Sequence, residues 1–147
     1  MVNIRAVTIL LIEDDPGHAR LIEKNLRRSN INNEIEVIRD GQEAIEYLFH
    51  EGQYTNSQHA PSLLVLLDLN IPGLSGYQIL KRMKSDKRTK HIPVIILTTT
   101  DDAHEVAKCY ELGCNIYITK PVDYDQFSEA IRKIGLFLSV VTIPNGV

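Results

Sequence analysis

Two short segments constrain this chain most. Leu63 to Leu67 reads LLVLL and Val94 to Leu97 reads VIIL, apolar at every position. Both have strand length and fall far short of the roughly 20 apolar residues a membrane helix needs. A strand without polar alternation has both faces covered, the situation of a parallel sheet sandwiched between helices. The rest of the chain alternates to match. Val7 to Ile12 reads as a first strand, and Asp15 and Pro16 read as the cap and first position of a helix. Ala19, Ile22 and Leu26 give that helix its spacing, and Ser29-Asn30 ends it. Ile35 to Ile38 is a short strand, Gly41 to Phe49 a short helix, and Glu51 to Pro61 a polar loop. Helices are expected from Ser75 to about Ser85, from after Thr100 to Leu112 with Gly113 as its stop, and from near Tyr124. Ile116 to Thr119 is the fifth strand. Strand and helix in strict alternation predict a parallel α/β sheet.

Size and charge narrow the function classes. The chain has 147 residues, which suits a single domain, 1–147, and its net charge is -3. An acidic balance disfavours a nucleic-acid partner. The basic stretch Lys81, Arg82, Lys84, Lys87, Arg88, Lys90 reads as a solvated helix face and loop. The N-terminal apolar run stops at acids and no cleavage-type tail follows, so no signal segment and no membrane association are expected, and the location is expected to be cytoplasmic. Cys109 and Cys114, with His104 nearby, lack a second ligand pair for zinc and are expected to be small core residues.

The polar residues of interest stand where such sheets build their sites, at the carboxyl ends of the strands. Glu13, Asp14 and Asp15 follow strand one, Asp68 ends strand three, Thr98 ends strand four and Lys120 ends strand five. Carboxylates gathered this closely raise one another's pKa or demand a counter-cation. Lys120 is one candidate; a divalent ion is the other, and all-oxygen ligands select Mg²⁺ or Mn²⁺ over zinc. The set suits phosphoryl transfer to a carboxylate, with Asp68 as nucleophile and Lys120 and Thr98 holding phosphoryl oxygens. A cap explains Asp15 and a turn explains Lys120-Pro121 taken singly; neither explains the ordered set.

The motifs LLIEDD, LLDLNIPGLSG, VIILTTT and YITKP, in this order, resemble the receiver domain of two-component response regulators over roughly residues 6–137. The resemblance implies a doubly wound, flavodoxin-like (βα)5 fold with strand order 2-1-3-4-5. It implies that Asp68 is the phosphoacceptor and that Asp14, Asp68 and the backbone carbonyl of Asn70 bind Mg²⁺, with Glu13 acting mostly through metal-bound water. Thr98 would be the switch hydroxyl, Lys120 the phosphate-contacting lysine and Tyr117 the switch aromatic. Asn70 and Thr100 would tune phosphoryl lifetime, and the Lys120-Pro121 bond would be cis. The surface to be switched would comprise the fourth helix, fifth strand and fifth helix. Such a protein is phosphorylated by a sensor histidine kinase and is not a turnover enzyme.

No output domain is expected after the fifth helix, so the output would be a protein contact or onward phosphotransfer. The loop at residues 50–62 and the apolar tail around GLFLSVVTIP resemble the small regulators paired with bacterial phytochrome kinases. Such a tail either folds back on its own domain or packs on another chain, and the fifth helix with the tail, residues 138–147, is expected to join two copies into a homodimer. Three other readings are weaker. A haloacid-dehalogenase-type hydrolase wants a second Asp where Asn70 stands. A nucleotide-binding domain wants a Gly-rich loop where EDDPGHA stands. A receiver degenerated to a scaffold would lack site residues that are present here.

Overall fold

The computed structural model describes residues 7–28, 31–56 and 62–120, with Asp125, Glu129 and Lys133 beyond them. Five strands and four helices fall within these residues: β1 (Val7–Ile12), α1 (Pro16–Arg28), β2 (Ile35–Ile38), α2 (Gly41–Phe49), β3 (Ser62–Leu67), α3 (Gly76–Ser85), β4 (Val94–Thr98), α4 (Ala103–Leu112) and β5 (Ile116–Thr119). All pairings are parallel and the order is β2-β1-β3-β4-β5, the doubly wound arrangement expected from the sequence. Asp125, Glu129 and Lys133 are helical and exposed. The remainder of the last helix, the tail 138–147 and the Lys120-Pro121 bond lie outside the described residues.

Successive strand residues point to opposite faces, so an all-apolar strand feeds two cores. Leu10, Ile12, Val65, Leu67, Val94 and Ile96 pack against Ala44, Ile45 and Leu48 of α2, Ile79, Leu80 and Met83 of α3, and Cys109 of α4. Val7, Ile9, Leu11, Leu64, Leu66, Ile95 and Leu97 pack on the other face with Ala19, Ile22 and Leu26 of α1. Cys109 and Cys114 are both buried thiols, as expected. Burial pushes the Cys114 thiol up to about 11, which keeps it protonated and unreactive.

Caps set the helix starts. Asp15 Oδ1 accepts the N–H groups of Gly17 and His18, at 2.8 and 3.0 Å. Ser75 lies just outside α3 rather than inside it: its hydroxyl accepts from the Gln78 N–H while the Gln78 side chain accepts from the Ser75 N–H, a reciprocal capping box. Asp102 caps α4, and Gly113, at φ 109°, ends it with Cys114 N–H on the Cys109 carbonyl and Gly113 N–H on that of Tyr110.

Two expectations need correction. The polar segment after α2 is not all loop. It opens with a 3-10 turn, Gly52–Tyr54, anchored by the Tyr54 hydroxyl on Glu43 at 2.7 Å and by an edge-on contact with Tyr47. The basic stretch is not wholly solvated either. Lys84 folds inward and donates to the carbonyls of Lys90 and Ile92, at 3.1 and 2.6 Å, because its stem lies along apolar surface while the amine satisfies the loop before β4. Among the described residues no helix is long and apolar enough to cross a membrane.

One close approach ties a helix to a strand end. A Cβ on Gly76 would stand 2.2 Å from the Asp68 carbonyl oxygen, so α3 can begin directly against the end of β3 only with glycine there. Gly76→Ala is expected to destabilise the fold by about 1–3 kcal/mol despite alanine's better helix propensity. Urea denaturation followed by circular dichroism measures this, and a variant as stable as the parent would contradict it.

Candidate functional site

The sheet ladder continues one residue past each relevant strand and so fixes the backbone of the site. Glu13 N–H bonds the Ile38 carbonyl at 2.9 Å, Asp68 N–H bonds the Ile12 carbonyl at 3.0 Å, and Lys120 N–H bonds the Thr98 carbonyl at 2.6 Å. Three side chains with chemistry are thus mounted on the rigid edge of the sheet rather than on free loops. Glu13 is 1% exposed, Asp68 7% and Thr98 0%, whereas Asp14 faces solvent.

Lys120 joins the carboxylates. Its Nζ lies 2.6 Å from Glu13 Oε1 and 3.2 Å from Asp68 Oδ2, and both acids are almost wholly covered at those contacts. The other oxygen of Asp68 accepts the Asn70 N–H at 2.9 Å. Burial raises the Glu13 carboxyl above its usual range and repulsion from Asp68 adds to the rise; the Lys120 ammonium and the Asp15 N–H pull it only part of the way back.

Carboxylate oxygens of Glu13, Asp14 and Asp68 all lie within 4.8 Å of one another. Three carboxyl groups gather here and the Lys120 ammonium pairs with two of them, Glu13 and Asp68, so acidic groups outnumber the paired cation at a place lined by carboxylate oxygens. Charge and donor type together fit a hard divalent cation, and they fit zinc poorly.

The hydroxyl side of the crevice is linked to the acidic side through Asn70. Its Nδ2 reaches Thr98 Oγ1 and Thr100 Oγ1, each at 3.4 Å. Tyr117 is half-buried on β5 and packs against the core on the side of α3 and α4. Its hydroxyl donates to the Thr100 carbonyl, and its N–H donates to the Tyr110 hydroxyl at 3.1 Å. Burial pushes the Tyr117 phenol up to about 12, so it remains a neutral donor at ordinary pH. The structure therefore brings Glu13, Asp14, Asp68, Asn70, Thr98, Thr100 and Lys120 to one edge, with Tyr117 joined through Thr100.

One residue at this edge carries no signal that sequence reasoning used. His18, on the first turn of α1, places Nδ1 3.2 Å from Lys120 Nζ. The cue available was its position three residues after the capping Asp15, which sets it over the strand ends.

Residues 9–132 match the family model described as the response regulator receiver domain. The chain belongs to that family. Response regulator Rcp1 of Synechocystis sp. is 38% identical over 137 residues, covering 92% of each chain. A solved structure of the Mn(2+)-bound form of Rcp1 superposes with a TM-score of 0.76 at 36% identity, over 88% of this chain and 92% of that one. The receiver domain from Rhodospirillum rubrum superposes with a TM-score of 0.77 at 54% identity, over 90% and 94%. The phosphorylated cyanobacterial phytochrome response regulator RcpA gives 0.76 at 37% identity, over 89% and 92%. This receiver is therefore homologous to phytochrome response regulators along most of its length.

The Glu13 environment makes a prediction about metal-free protein. A carboxyl whose pKa is raised on folding supports the fold when protonated, and that support is lost as pH rises through the raised value. Glu13→Gln, neutral at every pH, is expected to raise the melting temperature at pH 7 in chelator. The gain should shrink as pH falls and vanish below the ordinary carboxylate value of 4.5. Thermal melts across pH check this, and a destabilised variant at pH 7 would contradict it.

Proposed function

We propose that this receiver accepts a phosphoryl group on Asp68 from a sensor histidine kinase and signals by a change of surface. The observation that carries the reading is the Lys120 ammonium set between buried Glu13 and Asp68 at the sheet edge. It supplies a fixed positive charge beside a desolvated carboxylate. A carboxylate oxygen of Asp68 forms the new P–O bond, the P–N bond to the donor histidine breaks, and the donor imidazole keeps the electron pair and takes up a proton. Lys120 and the Thr98 hydroxyl would then hold phosphoryl oxygens. Asp14, Asp68 and the Asn70 carbonyl, with Glu13 behind water, would hold Mg²⁺ or Mn²⁺, which when bound offsets the repulsion between phosphoryl oxygens and carboxylates.

The output follows from what the phosphoryl group would disturb. Thr98 Oγ1 is engaged by the Asn70 amide. A strong anionic acceptor on Asp68 competes for that hydroxyl, and Tyr117 is the next group along through Thr100. The surface to change would be α4, β5 and the last helix, and the change would serve a protein contact, not catalytic turnover. A phytochrome-type kinase is the favoured donor, on the strength of the relatives' identities. A homodimer through the last helix and the tail 138–147 is part of the proposal and rests on the apolar tail sequence, which lies outside the described residues.

Incubation of the chain with acetyl phosphate and Mg²⁺ is expected to add one phosphoryl mass, and Asp68→Asn is expected to abolish the gain. A variant that still gains the mass would overturn the acceptor assignment. Asn70→Arg replaces the amide that spans Thr98 and Thr100 and should alter the rate of phosphoryl loss without preventing its gain. A decay assay with an unchanged half-life would contradict that role.

A further inference from the structure

Lys120 makes a third contact that the proposed chemistry leaves unused. An ammonium has three hydrogens and no acceptor. Two point at Glu13 Oε1 and Asp68 Oδ2, at 2.6 and 3.2 Å; the third faces His18 Nδ1 at 3.2 Å. An ammonium can only donate, so this contact is a hydrogen bond when Nδ1 is the accepting nitrogen and the ring proton sits on Nε2. His18 is itself held, since Asp15 Oδ1 caps its backbone N–H and that of Gly17.

We propose that His18 is a positioning residue for phosphorylation of Asp68: its Nδ1 takes one ammonium hydrogen of Lys120 and fixes that amine over the crevice. The proposal rests on Asp68 being the acceptor. As an Asp68 oxygen forms its bond to phosphorus it loses negative charge, and the hydrogen directed at it is released to a phosphoryl oxygen. A lysine tethered by Glu13 alone keeps the freedom of a long flexible stem. Tethers from two elements, the end of β1 and the first turn of α1, aim the released hydrogen into the crevice before the phosphoryl group arrives. A neutral acceptor suits this place. A carboxylate there would draw Lys120 away from Asp68 and add negative charge where a phosphoryl group must enter.

The test uses the full chain with acetyl phosphate and Mg²⁺, following the rate at which phosphoryl mass appears. His18→Ala is expected to slow that rate about three- to tenfold, the worth of one ordinary hydrogen bond at an exposed position. His18→Asn, whose amide oxygen can stand in for Nδ1, is expected to recover to within about twofold of the parent. In a Lys120→Ala background the His18→Ala change should cost nothing further, because there is no amine left to position. Imidazole ¹⁵N NMR reads the contact independently of rate, and should show the Nε2–H tautomer at His18 in the parent and its loss in Lys120→Ala. A parent-like rate in His18→Ala, an equal loss with and without Lys120, or an Nδ1–H tautomer in the parent would each overturn the proposal. Asp68→Asn runs alongside: a mass gain there would overturn the acceptor reading instead. Melting curves of the His18 variants, expected to match the parent, confirm that the fold is intact.

Discussion

The ion contacts of Lys120 with Glu13 and Asp68 are the interaction on which the functional edge depends. Two carboxyl groups almost closed off from water would repel each other and resist ionisation. One ammonium between them makes the arrangement tolerable, and it is delivered from β5, two strands away from β3 in the sheet. The lysine thereby ties together three strand ends that are far apart in sequence. It also leaves the site short of positive charge, since Asp14 adds a third carboxylate. The crevice is therefore acidic by construction and receptive to a cation, which is the condition under which an anionic phosphoryl group can approach a carboxylate at all.

A second layer of contacts leads away from that charge cluster. Asp68 holds the Asn70 N–H, the Asn70 amide spans the hydroxyls of Thr98 and Thr100, and the Thr100 carbonyl takes the Tyr117 hydroxyl. Tyr117 in turn donates its N–H to Tyr110 of α4. Each link is a polar contact of ordinary strength, so none resists a strong competing acceptor. The path runs from the charged edge to α4 and β5 through residues at the ends of β3 and β4. Its physical content is a set of hydroxyl and amide partners that a new anion on Asp68 would have to rearrange.

Much of this was legible in the sequence, for identifiable reasons. LLVLL and VIIL could only be strands covered on both sides, and the alternating packing of Leu64 and Leu66 against Val65 and Leu67 on opposite faces shows why. That the candidate residues gather at one edge was legible because each strand end carries a residue type that an apolar run does not need. What escaped depended on side-chain reach. Ser75 reads as the first position of the helix, and only the Gln78 side chain bonding back to it makes it the cap. Lys84 looks like its solvated neighbours, and only the two loop carbonyls near its amine turn it inward. His18 lies 102 residues from Lys120, and no local pattern announces that pairing.

The central claim is that Asp68, among the carboxylates at this edge, is the group that bonds to phosphorus. Borohydride reduction of the phosphorylated protein converts an aspartyl phosphate to homoserine and marks the acceptor itself. Peptide sequencing by tandem mass spectrometry should then find homoserine at position 68 with Asp14 and Glu13 unchanged. Homoserine at position 14, or a reduced carboxylate anywhere else with Asp68 intact, would contradict the account.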